Sequence, residues 1–329
     1  MRNVASVSGL VEAFGSRPGS EEFVFTFFDP YAIGLGLAEE ALAFLEREGF
    51  RVVDRRFVQY TQSSIEAVYS PNRPIALDKT WAVPGEVYLL ESSCALILRT
   101  PSRSACEAFK SLKGSADPNK RSPHHLRSRL QAPTRALSLM HSSDDTRAMI
   151  EEAATAFDPR ELRMLLESEG RPTLRANSAI QQLPGAVVGR AWRPSPLEFL
   201  VHLRLRLAEE VELVAPFPEE LVSPWREAAN ELEGLRSEPS ASREVYLRVV
   251  AREAALVNDA VQAGLSHPRR PGMFDYRVEP ALVATVLELL HHPALYRETD
   301  LTRLIGPLGA LVRNAYERVL LRSALQEFE

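Results

Sequence analysis

Six residues near the N-terminus, FVFTFF at 23–28, restrict the fold more than any other stretch of the chain. A strand-length run of aromatic and β-branched residues suits a sheet, and Asp29-Pro30 ends it because proline brings no ladder donor. An alternation of elements follows. Leu37, Ala41, Leu42, Phe44 and Leu45 recur at helical spacing over 36–48, and Gly49 stops that helix. Phe50 to Tyr60 alternates as a strand, Ser63 to Tyr69 reads as a short helix, residues 86–99 carry a strand and 102–112 another helix. A closing strand, Ala136 to Met140, completes the order β-α-β-(α)-β-α-β. That order belongs to the α+β class, in the ferredoxin-like split βαβ arrangement.

Composition narrows the function. At 329 residues, 45% apolar and 25% charged, the chain is long enough for two folded domains. A net charge of −5 and a pI near 5.9 argue against a general nucleic-acid or membrane-surface binder, because such proteins carry a positive excess. The two cysteines, Cys94 and Cys106, make neither a disulfide framework nor a metal cluster, which implies an intracellular, cytoplasmic setting. No segment approaches the ~20 apolar residues of a membrane span, and residues 1–21 read as a loose arm or one short helix, a poor signal peptide.

The chemistry concentrates between Lys110 and Glu152. His141 stands between the closing strand and a helix that opens on Ser142, Ser143, Asp144 and Asp145, and a neutral imidazole so placed is a candidate nucleophile. Upstream lie Lys110, Lys113, Lys120, Arg121, Arg127, Arg129 and Arg135, a density of cations suited to a polyphosphate. Phosphoryl chemistry is the reading these residues support.

Residues 22–157 resemble the nucleoside diphosphate kinases. In that family a strand leads through Lys-Pro-Asp-Gly-Val to a helix closing on Lys-Gly-Phe-Arg; here FTFF-DPYAIGLGL leads to EREGFRVV. The family's Gly-Glu-Thr-Asn-Pro, with a later Pro and Ile-Arg, looks like Gly114-Ser-Ala-Asp-Pro118 with Pro123 and Leu126-Arg127. Its Asn-Ile-Ile-His-Gly-Ser-Asp looks like Ser138-Leu-Met-His141-Ser-Ser143-Asp144, and its glutamate 11 residues later is Glu152. The resemblance implies a ping-pong reaction with ATP or another nucleoside triphosphate and Mg²⁺ held by its phosphates, no metal ligand coming from the protein. Carried over, His141 is the nucleophile, Glu152 and Ser143 orient it, Arg127 and Lys110 contact phosphates, and Tyr69 matches a tyrosine near the histidine. Ser138 replaces an asparagine that contacts ribose.

The departures are as specific. Asp29 stands where the family has a lysine on the transferred phosphate; sliding the frame by two puts Phe27 there instead. Two unit charges about 4 Å apart interact by roughly 4 kcal/mol at an effective dielectric near 20. Exchanging attraction for repulsion therefore predicts a rate loss of several orders of magnitude, at ~1.4 kcal/mol per tenfold. Ala116 replaces a threonine, and Arg73-Pro74-Ile75 replaces a motif whose aromatic stacks on the base, with an insertion after it that contains Trp81, a substitute base contact. A second Mg²⁺ on Asp29, or an incoming base such as Lys79, would restore positive charge.

Past Phe157 the resemblance ends. Residues 158–195 read as a helix and a crossover, and 196–329 as an all-α domain of no recognised family. Leu200, Leu203, Leu207, Val211 and Val214 favour a helix over the competing strand reading, and further helices fall within 217–236, 241–264, 279–292 and 299–327. The loop HPRRPGMFDYR at 267–277 reads as an apolar tether, and neither His124-His125 nor His291-His292 completes a metal set. Three functions are consistent with these features: a divergent phosphotransferase acting through phosphorylated His141 on a small-molecule or protein acceptor, a nucleotide-binding sensor or partner-binding module without turnover, and a purely structural interaction protein. The family assembles as tetramers or hexamers; a large C-terminal addition covering those surfaces leaves a homodimer as the expectation.

Overall fold

A computed structural model of the chain describes residues 6–69, 79–101, 104–167 and 315–327, with isolated helical positions between 199 and 255. The chain divides into two compact units, Met1–Arg193 and Pro194–Glu329.

The first unit is built on a four-stranded antiparallel sheet in the order β2-β3-β1-β4. β1 (Phe23–Phe28) is a central strand and all six of its positions are buried, which is why FVFTFF is apolar without alternation. β2 (Arg51–Val58) and β4 (Met140–Ser142) form the edges, and β3 (Ser93–Arg99) lies between β2 and β1. The crossing helices are α3 (Leu37–Arg47) and α6 (Ala105–Lys113); α4 (Gln62–Tyr69) and α5 (Lys79–Leu90) separate β2 from β3, and α8 (Thr146–Ala153) follows β4. The short helices α2 (Pro30–Gly34) and α7 (Leu126–Arg129) and the later α9 (Pro159–Glu167) complete the set. This is the ferredoxin-like order expected from the sequence.

Of the two readings of the arm, the short helix holds, and two boundaries elsewhere differ from expectation. The arm contains α1 (Val7–Phe14), capped by Ser6, whose hydroxyl accepts from the Gly9 amide at 3.2 Å. It buries Leu10 and Phe14 and packs against α8 and α9, so it is part of the domain's packing. Glu86 to Leu90 end a helix instead of starting β3, and Val87 and Tyr88 are both buried there. The closing strand begins at Met140 and not at Ala136, because Leu139 adopts φ 70°, a left-handed conformation that breaks the pleat. His141 therefore lies inside the strand, where the neighbouring chain fixes its direction.

In the second unit Phe199, His202, Leu203 and Arg206 are helical, as expected for that segment, and Phe199 and Leu203 are buried. The buried face is Phe199, Leu203 and Arg206; expected partners Leu200 and Leu207 lie outside the described residues. Arg206 pairs with Glu317 of helix Ala315–Glu327 through two bonds of 2.7 and 2.8 Å, with both side chains buried. The loop at 267–277, His291-His292, Arg73-Pro74-Ile75 and the crossover from 171 also lie outside the described residues. No helix among the described residues is long and apolar enough to cross a membrane.

Candidate functional site

The site is assembled on the edge strand β4. Phe27 of β1 pairs with His141, Thr26 with Ser142 and Phe28 with Met140. The Thr26 hydroxyl donates to the His141 carbonyl at 2.5 Å, the Asp29 amide to the Leu139 carbonyl at 3.0 Å, and the Ser143 amide to the Phe25 carbonyl at 3.0 Å. Carbonyls of Ser138 and Met140 point the other way, off the open edge, and would be unsatisfied there. Arg127 of α7 takes both: Nε donates to Ser138 O at 2.9 Å and Nη2 to Met140 O at 2.5 Å. Nη1 donates to Gly114 O at 2.8 Å and Nη2 also to Ser138 Oγ at 3.3 Å. Burial, with Arg121 nearby, pushes the guanidinium down to about 10, so it keeps its charge at neutral pH. The turn that presents the Gly114 carbonyl requires glycine, since φ is +78° and a Cβ would stand 2.5 Å from the His125 ring carbon Cγ.

The imidazole is held from three sides. His141 Nε2 lies 2.8 Å from Glu152 Oε2, a carboxylate on α8 that is 2% exposed. The ring stacks on Phe27 with centroids 5.1 Å apart at 30°, and the Tyr69 ring meets it edge-on at 5.0 Å. Tyr69 and Tyr88 share a hydroxyl contact of 3.0 Å, and Tyr88 in turn packs on Phe27. Burial raises both phenols well above their ordinary value, so both stay neutral donors. A carboxylate on Nε2 selects the tautomer that carries its proton there and leaves the lone pair on Nδ1. Imidazole positioned in this way can attack an electrophilic phosphorus, and the carboxylate stabilises the positive charge the ring gains.

A model of the family described as "Nucleoside diphosphate kinase" matches residues 22–162. This part of the chain is a nucleoside-diphosphate-kinase-like domain. Its solved counterparts include the apo nucleoside diphosphate kinase of Encephalitozoon cuniculi, 15% identical, covering 47% of this chain and 96% of that one, with a TM-score of 0.38. Those of Aquifex aeolicus (18% identity, 41% and 94% coverage, TM-score 0.37) and Pyrobaculum aerophilum (16% identity, 41% and 95% coverage, TM-score 0.35) are also similar. No curated protein sequence matches the chain.

Within the kinase-like domain, some candidate residues converge and others are engaged elsewhere. His141, Glu152 and Tyr69 come together. Ser143 is completely buried and donates its hydroxyl to Phe25 O at 3.2 Å, so its hydroxyl bond is to β1 instead of the imidazole. Ser138 accepts from Arg127, and four of the five Arg127 N–H groups are committed to the protein, a bracing arrangement where the sequence suggested phosphate contact. Lys110 lies exposed and bonded to Asp144 at 2.7 Å. Burial works against ionisation of Asp144, but the Lys110 bond and charge prevail and hold it below the ordinary range. Trp81 and Lys79 of the insertion belong to helix α5.

Asp29 corrects the sequence reading most. Its side chain is 0% exposed, and Oδ1 accepts from the Ala32 amide at 2.7 Å, capping α2 with Pro30 at the first helical position. A residue walled in this way does not face solvent as a ligand for a second Mg²⁺. Among the described residues no group of three His, Cys, Asp or Glu side chains could hold a metal. Burial pushes the Asp29 carboxyl up from 3.8 to about 6, against the capping bond and Arg127. A folded-state pKa above the unfolded one gives stability that is present below pH about 4 and lost as pH rises through about 6. The span of about two units corresponds to roughly 3 kcal/mol. Asp29→Asn keeps the cap and abolishes the titration, so urea midpoints of the variant, measured at pH 4, 5, 6 and 7, should lack the decline that wild type has over that range.

Sequence reasoning missed Tyr88 and missed Phe27 as the surface under the imidazole. Pairing β1 with β4 around His141 would have found Phe27. Tyr88 carries no signal while its segment reads as strand.

Proposed function

We propose that the chain is a divergent phosphotransferase that carries the terminal phosphoryl group of a nucleoside triphosphate on His141. The observation that carries this reading is the His141–Glu152 pair at 2.8 Å, buried on the glutamate side and backed by Phe27 and Tyr69. In the first half-reaction Nδ1 forms a bond to the terminal phosphorus as the bond to the bridging oxygen breaks, and the diphosphate leaves with that electron pair. Glu152 holds the Nε2 proton and the charge of the phosphorylated ring. Mg²⁺, bound through the nucleotide's phosphates, supplies charge neutralisation. Attack by an acceptor on the phosphohistidine then restores neutral imidazole. Lys110, after exchanging Asp144 for phosphate, and the remaining N–H of Arg127 are the cations this reading uses.

The buried Asp29 supplies no cation where the family has its lysine, which favours slow transfer and leaves room for an acceptor other than an ordinary nucleoside diphosphate. The same observation favours a second reading, a nucleotide-binding module without turnover. The two separate on incubation with ATP labelled in the γ-phosphoryl group: the first expects an acid-labile, base-stable protein adduct that His141→Ala lacks. Equal labelling of the two proteins, or none in either, removes the first reading.

A further inference from the structure

Every position of β1 is buried, so aliphatic residues would fill this strand as well as aromatic ones. The aromatic at 27 has a particular neighbour. Directly opposite residues of an antiparallel pair project to the same face, and Phe27 is opposite His141. Their rings stack with centroids 5.1 Å apart and planes 30° from parallel. On its other flank Phe27 is opposite Ala95 of β3, whose small side chain leaves space in which Tyr60 and Tyr88 close on the phenyl ring at 5.1 and 5.2 Å. Phe25 approaches to 5.9 Å. Fenced by three rings and fully buried, the phenyl ring is held against the imidazole.

Glu152 and Phe27 meet the imidazole in different ways. The carboxylate stands 2.8 Å from Nε2, at the edge of the ring. The phenyl ring lies against its plane, and the negative face of an aromatic quadrupole attracts a cation within about 6 Å of its centroid. Because the His141 side chain is 16% exposed, water screens that attraction little. We propose that Phe27 is the charge-stabilising surface of phosphorylated His141: its π face holds the cationic ring that forms when the phosphoryl group arrives. The inference rests on the phosphotransferase reading and adds a residue to it. As the bond from Nδ1 to the terminal phosphorus forms, the bond to the bridging oxygen breaks and the diphosphate leaves with the electron pair. The imidazole keeps its Nε2 proton and becomes cationic. Glu152 holds that proton, and Phe27 stabilises the charge spread over the ring, which lowers the free energy of the adduct relative to the resting protein.

The test is the position of the equilibrium between protein with ATP and adduct with ADP, read as labelled protein over a series of ATP to ADP ratios in the presence of Mg²⁺. Full-length chains carrying one, two or three fluorines on the ring at position 27 keep its shape nearly unchanged and weaken the negative π face in steps. The equilibrium constant for the adduct should fall with each fluorine. Phe27→Leu, which has no π face, should lie roughly 2- to 30-fold below wild type. A ring that only packs predicts a flat fluorine series whatever Phe27→Leu does to stability. A flat series, or an equilibrium constant for Phe27→Leu equal to that of wild type, overturns the proposal and leaves the phosphotransferase reading standing. Absence of label from wild type overturns both.

Discussion

Arg127→Met is expected to lose about 3–5 kcal/mol of folding stability, the range reserved for breaking a buried charged network. The guanidinium satisfies the carbonyls of Ser138, Gly114 and Met140, and methionine fills the space without offering a donor. Each buried carbonyl left without a partner costs about 1–3 kcal/mol, less where water can enter at the strand edge. Urea unfolding, with the slope checked for constancy, measures the loss. The loss falls on the segment that positions His141, so labelling should fail in the variant even below its melting temperature. A loss under about 1 kcal/mol would mean the guanidinium is not bracing the strand.

Glu152→Gln should slow formation of the phosphorylated protein by about 10²- to 10⁴-fold while leaving the fold intact. The shape is conserved, but an amide can donate to Nε2, which moves the ring proton to Nδ1 and removes the lone pair that attacks. It also removes the negative charge facing the phosphorylated ring, which is why the effect exceeds that of losing one hydrogen bond. Rapid-quench labelling of wild type and variant gives the ratio. Equal rates would show that Glu152 does not set the tautomer.

Much of this architecture was legible in the chain. FVFTFF fixed a buried central strand, and the alternating periods after it gave the order of elements that the sheet β2-β3-β1-β4 follows. His141 and Glu152, 11 residues apart, were readable as a pair because one strand, one turn and the first two turns of a helix return the glutamate to the histidine. What stayed hidden depended on local backbone geometry and on long-range partners. Asp29-Pro30 was visible as a strand stop, yet the same two residues are an N-cap and first helical position, which turns the carboxylate inward. The bracing bonds of Arg127 stayed hidden because an arginine in a basic stretch gives no hint of carbonyls contributed from Gly114, Ser138 and Met140. The left-handed Leu139 could not be anticipated, because leucine disfavours that region; such strain costs about 1–3 kcal/mol and persists only where surrounding contacts enforce it. Here those contacts are the Asp29 amide on the Leu139 carbonyl and the Arg127 bonds on either side. EVYLL is apolar enough for either state, and no local pattern in it decides for the helix it ends.

The central claim is that His141 carries phosphate on the nitrogen that Glu152 leaves open. Mapping the labelled adduct by peptide digestion under alkaline conditions, followed by chromatographic separation of the two phosphohistidine isomers, tests it most directly. The account predicts a single labelled residue, His141, substituted at Nδ1. Label on another residue, or substitution at Nε2, would contradict it.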